Sequence, residues 1–403
     1  MDWVKFPGKE VMELTIETLE QVHNVDYSQP IANGPTAVGF DSYFGISASL
    51  DMVPYCFIEN NHVTANPTAM LKLAMNAAGK KNTFTREGPG APGFTGESVL
   101  PTLTKKAVEF IAANAGRKGE PFFLYLPLNA PHTPILPTKE WEGRSGINVY
   151  ADYVMETDDA IGQVMKAIDA GGIADNTVVV FTSDNGCSPS ADFPTLLKAG
   201  HSPSYVFRGM KADIFDGGHR VPFMVQWPAV VKAGSRCDQT ICLLDFMATA
   251  AEITGFKLPE NAAEDSVSLL PALKGATEQP LREAIVHHSI NGSFSIRQGR
   301  WKLELCPDSG GWSDPKPVPA KAPANSKARE LAANLPPIQL YDMTADMGER
   351  KNVETDHPDV VKRLIKLLQK YVADGRSTPG APQKNTGAPN IWMYAKWDSN
   401  NPD

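Results

Sequence analysis

Thr177–Gly186 reads TVVVFTSDNG and constrains this chain more than any other stretch. Thr177 to Phe181 are all β-branched or aromatic, the make-up of a short buried strand. The run stops at Asp184-Asn185-Gly186, two oxygen-bearing side chains followed by a turn residue. In open α/β sheets, ligands bind just beyond the carboxyl ends of the strands. A carboxylate beside an amide at such an end suits a hard cation such as calcium, which takes oxygen ligands. An Asx turn that merely closes a strand carries the same residues. The surroundings decide between the two readings.

Upstream, Pro121–Leu128 (PFFLYLPL) is a continuous apolar run that reads as a buried strand and leads into Asn129-Ala130-Pro131-His132-Thr133-Pro134. Next come Tyr150, Tyr153, Val154, Thr157, Ile161, Val164, Met165 and Ile168, which share one helical face, and Gly171-Gly172 ends the helix. Strand, helix and strand make a βαβ unit, whose crossover is right-handed with parallel strands. His132 and Asp184 would then share one sheet edge. Further helices are expected over Thr102–Ala115, over Cys242–Ile253 with Leu244, Met247, Ala248 and Ala251 inward, and over His357–Val372 with Val360, Leu364, Leu367, Leu368 and Tyr371 inward. Val221–Trp227 and Gln339–Met343 read as strands. From Glu283 onward short strands dominate, with Asn291-Gly292 and Gln298-Gly299 as hairpin turns, and residues 307–337 read as a long solvated loop. The expected fold is α/β: a mixed, mostly parallel sheet sandwiched by helices, then a small C-terminal α+β domain. The expected limits are 1–275 for the first domain, 276–375 for the antiparallel second one, and 376–403 for a tail.

Composition removes several classes. The 403 residues carry a net charge of −8 with no basic stripe, which argues against a nucleic-acid partner. No apolar run approaches the ~20 residues of a membrane span. Cys56, Cys187, Cys237, Cys242 and Cys306 form no CxxC and no zinc spacing, and their odd number leaves the redox compartment open. The opening MDWVKFPGKEV lacks the apolar segment of a signal peptide.

Taken in order, PFFLYLPLNAPHTP, the Tyr150 helix, TVVVFTSDNG, FRGMKADIFDGGHRVPF and QLYDMTADMGERKNV resemble the calcium-dependent sulfatases of the alkaline-phosphatase-like superfamily. The resemblance runs over nearly the whole chain. It implies hydrolysis of a sulfate ester, on a sulfated small molecule or carbohydrate, with calcium as cofactor. Asp184 and Asn185 match two calcium ligands of that family. His132 matches the histidine of its PHxP segment and Lys211 the lysine before GGxRVP, both contacting sulfate there. Ser49, in FGISASLDMVPYC, resembles a serine beside the sulfate. His201, Tyr205, Arg208 and His219 flank the Lys211 loop, and among them His201 is the candidate substrate contact. Arg220 is expected to pair with a carboxylate instead. Family members are usually exported to the periplasm, the cell exterior or the lysosome.

The sequence departs from that family at its nucleophile, an aldehyde hydrate made from Cys or Ser within C/S-x-P-x-R. Cys187-Ser188-Pro189-Ser190 comes closest, but Ala191 stands where arginine is required, and Ala32, Pro317 and Ala381 spoil the matches beginning at Ser28, Ser313 and Ser377. The family's upstream paired aspartates and Gly-Lys-Trp-His segment have no counterpart either. The expectation is a chain without its amino-terminal part, or else a non-catalytic pseudo-enzyme. A phosphate or phosphonate hydrolase on the same fold would want several more metal-binding Asp and His residues downstream.

Overall fold

The computed structural model describes residues 1–5, 24–77, 83–117, 119–276, 278–319, 321–323 and 325–395. Most of the opening MDWVKFPGKEV, and the tail beyond residue 395, lie outside the described residues. Helices and sheets are mixed along the chain, an α/β fold. The chain divides into two compact units, Met1–Ala174 with Pro189–His201, and Asp175–Ser188 with Ser202–Asp403. Residues 175–188 and 202–275, expected in the first domain, thus cluster with the sheet that follows them.

In the first unit, β1 (Phe44–Gly45), β2 (Ile58–Glu59) and β3 (His62–Val63) form an antiparallel sheet, and β4 (Ala69–Leu71) pairs with β5 (Gly88–Gly90). Helix α1 (Val99–Asn114) buries Val99, Leu100, Leu103, Ala107 and Ile111, close to the expected helical spacing. Helix α2 (Val149–Ala170) starts where Asn148 accepts from the Ala151 amide at 2.9 Å, a side-chain cap. A short α3 (Phe193–Lys198) completes the unit.

Two expectations need correction here. First, the inward face of α2 keeps the expected Tyr153 and Ile168 buried, with Tyr150, Thr157, Ile161, Val164 and Met165 half-buried, but Val154 is exposed and Asp152, Glu156 and Ala160 are buried as well. Hydrophobic spacing missed two carboxylates that are recruited as acceptors: Asp152 takes the Gly143 and Ser145 amides at 2.8 Å each, and Glu156 takes the Thr138 amide at 2.9 Å. Buried carboxylates persist when such bonds replace their hydration. Second, Pro121–Leu128 belongs to no ladder among the described residues. Its residues alternate between exposed and half-buried, the period of an extended chain, with Phe123 and Tyr125 61% and 67% exposed. An apolar run alone cannot tell one covered face from two.

In the second unit, β6 (Val179–Thr182) carries the TVVVFTSDNG motif and pairs antiparallel with β7 (Phe223–Gln226). The expected parallel ladder is not found among the described residues. Helix α4 (Asp216–His219) and α5 (Asp245–Thr254) follow. In α5 the buried residues are Asp245, Thr249 and Ala251, with Leu244 and Met247 exposed. Asp245 again explains the difference, accepting from the Cys242 and Val267 amides at 2.7 and 2.9 Å and pairing with Arg282. After α6 (Leu270–Leu273), β8 (Ile285–His288), β9 (Phe294–Gln298), β10 (Trp301–Glu304) and β11 (Gln339–Asp342) form one antiparallel sheet in the order β11-β10-β9-β8. Gly292 and Gly299 take positive φ at the two expected hairpin turns. The stretch 307–337 is not wholly solvated: Asp308, Ser309 and Gly310 are buried, and α7 (Lys327–Ala333) lies within it.

Helix α8 (Pro358–Asp374) buries Val360, Leu364, Leu367, Leu368 and Tyr371, the five residues expected, against Ile296, Leu303, Leu305, Ile338 and Leu340. Ile391, in the tail, joins the same core. Leu364 is fully buried at its centre. Leu364→Ala should therefore cost about 3 kcal/mol, read as a lower urea midpoint with an unchanged slope. A loss below ~1 kcal/mol would mean that α8 does not anchor this sheet.

Candidate functional site

Two candidate residues meet in the first unit. Ser49 Oγ lies 3.3 Å from His132 Nδ1 and donates to Asp51. His132 Nδ1 is also 2.6 Å from the Thr133 carbonyl. A carbonyl only accepts, so Nδ1 carries the proton there, and Nε2 of this exposed ring is left for a ligand. The approach to His132 is held by Asn129, whose side chain donates to the Tyr153 hydroxyl at 2.8 Å on α2. His201 follows α3, its amide donating to the Leu196 carbonyl at 2.9 Å, and is exposed.

In the second unit the loop after β6 packs backbone to backbone on the segment that carries Lys211. Gly186 N–H donates to the Gly218 carbonyl at 3.0 Å, and Lys211 N–H donates to the Cys187 carbonyl at 2.9 Å. A Cβ added at Gly186 would lie 1.8 Å from the Gly217 oxygen, and one at Gly217 2.4 Å from the Arg208 oxygen. Gly186 was readable as a turn residue. Its physical requirement is instead close approach, and the Gly217-Gly218 pair answers it from the other side. Asp184 is exposed and Asn185 half-buried at the head of this loop. Lys211 is half-buried, and its ammonium has no ion-pair or hydrogen-bond partner among the described residues.

Asp184 and Asn185 fit calcium in kind, since both offer oxygen, but not in number. Calcium takes roughly 6–8 oxygens, and among the described residues no group of three or more His, Cys, Asp or Glu could hold a metal ion. Cys187 is half-buried, with Sγ 3.7 Å from the Ser188 carbonyl. No helix among the described residues is long and apolar enough to cross a membrane.

Sequence reasoning missed the most charged place in the second unit. Lys302 on β10 is fully buried, with Nζ 2.6 Å from Glu349, 2.9 Å from Asp216 and 3.2 Å from Glu304. Burial alone would strip its proton, but these carboxylates hold it charged and push its pKa up. Burial works against Asp216 too, yet Lys302 and Arg297 hold its carboxyl down at about 2. Glu304 and Glu349 stay above the usual carboxylate range because burial outweighs what Lys302 gives back. Arg220 pairs with Asp216 at 3.6 Å, the carboxylate role expected of it. The rings of His219 and His287 lie 4.1 Å apart beside this group. Burial, then Lys302, lowers His219 to about 4, and burial, then His219, lowers His287 well below its usual value. A signal existed in the alternation of WKLE and in the acid of TADMGER, but a lone Lys on a short strand reads as surface.

The sulfatase family profile matches residues 24–256. An N-acetylgalactosamine-6-O-sulfatase of Bacteroides thetaiotaomicron is 33% identical over 381 residues, covering 85% of this chain and 70% of that protein. Mouse N-acetylgalactosamine-6-sulfatase is 29% identical, covering 87% of this chain and 65% of its own length, and human arylsulfatase A is 31% identical, covering 72% and 57%. The chain thus spans 57–70% of these relatives. Among solved structures, a Bacteroides thetaiotaomicron sulfatase from work on glycosaminoglycan metabolism superposes with a TM-score of 0.69 at 30% identity, covering 86% of this chain and 75% of that one. A Pseudoalteromonas sulfatase at 18% identity shares the fold, with a TM-score of 0.62 and coverage of 84% and 67%.

The buried histidine gives a signed expectation. A His whose folded pKa is about 4 and whose unfolded value is near 6.5 contributes stability above pH 6.5 that is lost as pH falls through that window. Glu304 and Glu349, raised in the fold, act with the opposite sign as pH rises from 4.5. A difference measurement isolates the histidine. Between pH 6.5 and 4, the wild type should lose roughly 3 kcal/mol relative to His219→Gln, measured by urea unfolding at each pH. Parallel curves would show that His219 titrates normally in the fold.

Proposed function

We propose, from the premise that this chain belongs to the sulfatase family, that its residues are arranged to bind and hydrolyse sulfate monoesters. The names of the relatives favour a sulfated carbohydrate, such as a 6-sulfated amino sugar, as substrate. The observation that carries the reading is Lys211, a half-buried ammonium without an anionic partner among the described residues, bonded through its backbone to the loop of Asp184 and Asn185. Charge spreads over the sulfate oxygens during transfer, and a cation placed to meet it stabilises that state.

Lys211 and His132 take the charge-stabilising roles. His132, protonated on both ring nitrogens, would donate Nε2–H to a sulfate oxygen, because Nδ1–H is committed to the Thr133 carbonyl. Ser49 offers a hydroxyl next to that ring, and His201 is proposed as a second substrate contact. Asp184 and Asn185 would supply oxygens to a divalent cation, calcium by resemblance, whose chemistry when bound is to neutralise sulfate charge. Two ligand residues are too few to hold it firmly, so no step is assigned to the metal.

The 403 residues contain no C/S-x-P-x-R, and Ala191 removes the arginine from the nearest match. Binding and catalysis therefore separate in this chain. Aryl sulfate with added calcium should turn over at close to background, while inorganic sulfate should bind, and Lys211→Ala and His132→Ala should each weaken that binding about tenfold, ~1.4 kcal/mol. Unchanged affinity in both variants would overturn the reading. Mass spectrometry of protein made beside a modifying enzyme should find the Cys187 thiol intact. An aldehyde at Cys187, or turnover typical of an enzyme at 1–10³ s⁻¹, would place a nucleophile within this sequence.

A further inference from the structure

We infer that Lys302 and Glu349 are positioning residues, which fix the backbone that carries Lys211 and braces the Asp184–Asn185 loop. The inference rests on the sulfate reading for its chemical purpose, but not for its geometry. Lys302 Nζ donates to the Ile214 carbonyl at 3.0 Å and to the Asp216 carboxylate at 2.9 Å. Glu349 accepts the Asp216 amide on Oε2 at 2.7 Å and Lys302 Nζ on Oε1 at 2.6 Å. Both grips fall on residues 214–216, the short span between Lys211 and the Gly217-Gly218 pair.

From there three backbone hydrogen bonds carry the contact onward. Gly217 N–H donates to the Arg208 carbonyl at 2.7 Å, Gly186 N–H to Gly218 at 3.0 Å, and Lys211 N–H to Cys187 at 2.9 Å. Those three bonds lock residues 184–187 and 208–218 into one block, with no room for a side chain at Gly186 or Gly217. Arg208 adds a tie at the far end, donating to the Glu349 carbonyl at 3.0 Å and to the Tyr341 hydroxyl at 3.2 Å. A salt bridge buried for stability alone is a poor device, since apolar residues of the same shape often serve as well or better. What directional bonds from one ammonium add is a fixed register between a rigid strand and a loop.

Amide hydrogen exchange on the full 403-residue chain tests this. In Lys302→Met and in Glu349→Gln, the Gly186, Lys211 and Gly217 amides should exchange at least about tenfold faster, with the Leu367 and Leu368 amides of α8 unchanged. Unaltered exchange at the three loop amides overturns the inference. So does equal acceleration everywhere, the mark of a purely global stability role. Should Lys302→Met fail to fold, Glu349→Gln, which keeps size and shape, carries the same test. A second arm titrates inorganic sulfate and follows the Asn185 and Lys211 signals. The variants should need about tenfold more sulfate than wild type; an unmoved midpoint overturns the positioning role. If the wild type itself gives no response, the sulfate reading falls, and the exchange result still decides this inference.

Discussion

Lys302 Nζ sits out of water within 3.2 Å of three carboxylates, and moving a charge from water into protein costs several kcal/mol unless new partners replace its hydration. That requirement organises much of the second unit. Asp216 must come from the Lys211 segment, Glu349 from the loop after β11, and Glu304 from the same strand as the lysine. Three parts of the chain, far apart in sequence, are thus held to one point. Burial works against the charge on Glu304 and pushes its pKa up, and Lys302 beside it gives back only part of that. The same burial pushes His219 and His287 below their usual values, and positive neighbours, Lys302 for His219 and His219 for His287, add to it.

Glycine supplies what the charges cannot. The ionic group can hold residues 214–216, and the Asp184 loop is reached through backbone hydrogen bonds, where backbone can come that close only if Cβ is missing. Gly186 against Gly217 is the limiting contact, at 1.8 Å for an added Cβ. DNG and DGG therefore read as separate turns in the sequence while acting as two halves of one contact. Neither half explains itself alone.

That asymmetry accounts for what was legible. Helix α8 was readable because its apolar period has no competitor, and each of its five expected residues is buried. The hairpins were readable because Gly292 and Gly299 sit where positive φ is needed. On the inward faces of α2 and α5 the apolar period left out Asp152, Glu156 and Asp245, which go inside to accept backbone amides. Hydrophobic spacing has no symbol for a carboxylate used as a structural acceptor. The Pro121–Leu128 run was misread for another reason: its composition reports what it could pack against, and Phe123 and Tyr125 remain open. Candidate ligand-contacting residues stood out from motif chemistry, whereas Lys302, Glu304 and Glu349 did not, since nothing local marks a lysine as buried.

A family site therefore depends on two kinds of residue with different visibility. The proposed ligand contacts, Lys211 and His132, are recognisable because the motifs that carry them fix their type. The groups that hold them can be recognised only after folding, because many arrangements of charge could brace the same loop. The brace has its own reason to persist, because Lys302 without Asp216 and Glu349 would be a poorly compensated buried charge costing ~3–5 kcal/mol. The cost of dismantling the brace falls on folding, and the fold retains the geometry for as long as it retains the lysine.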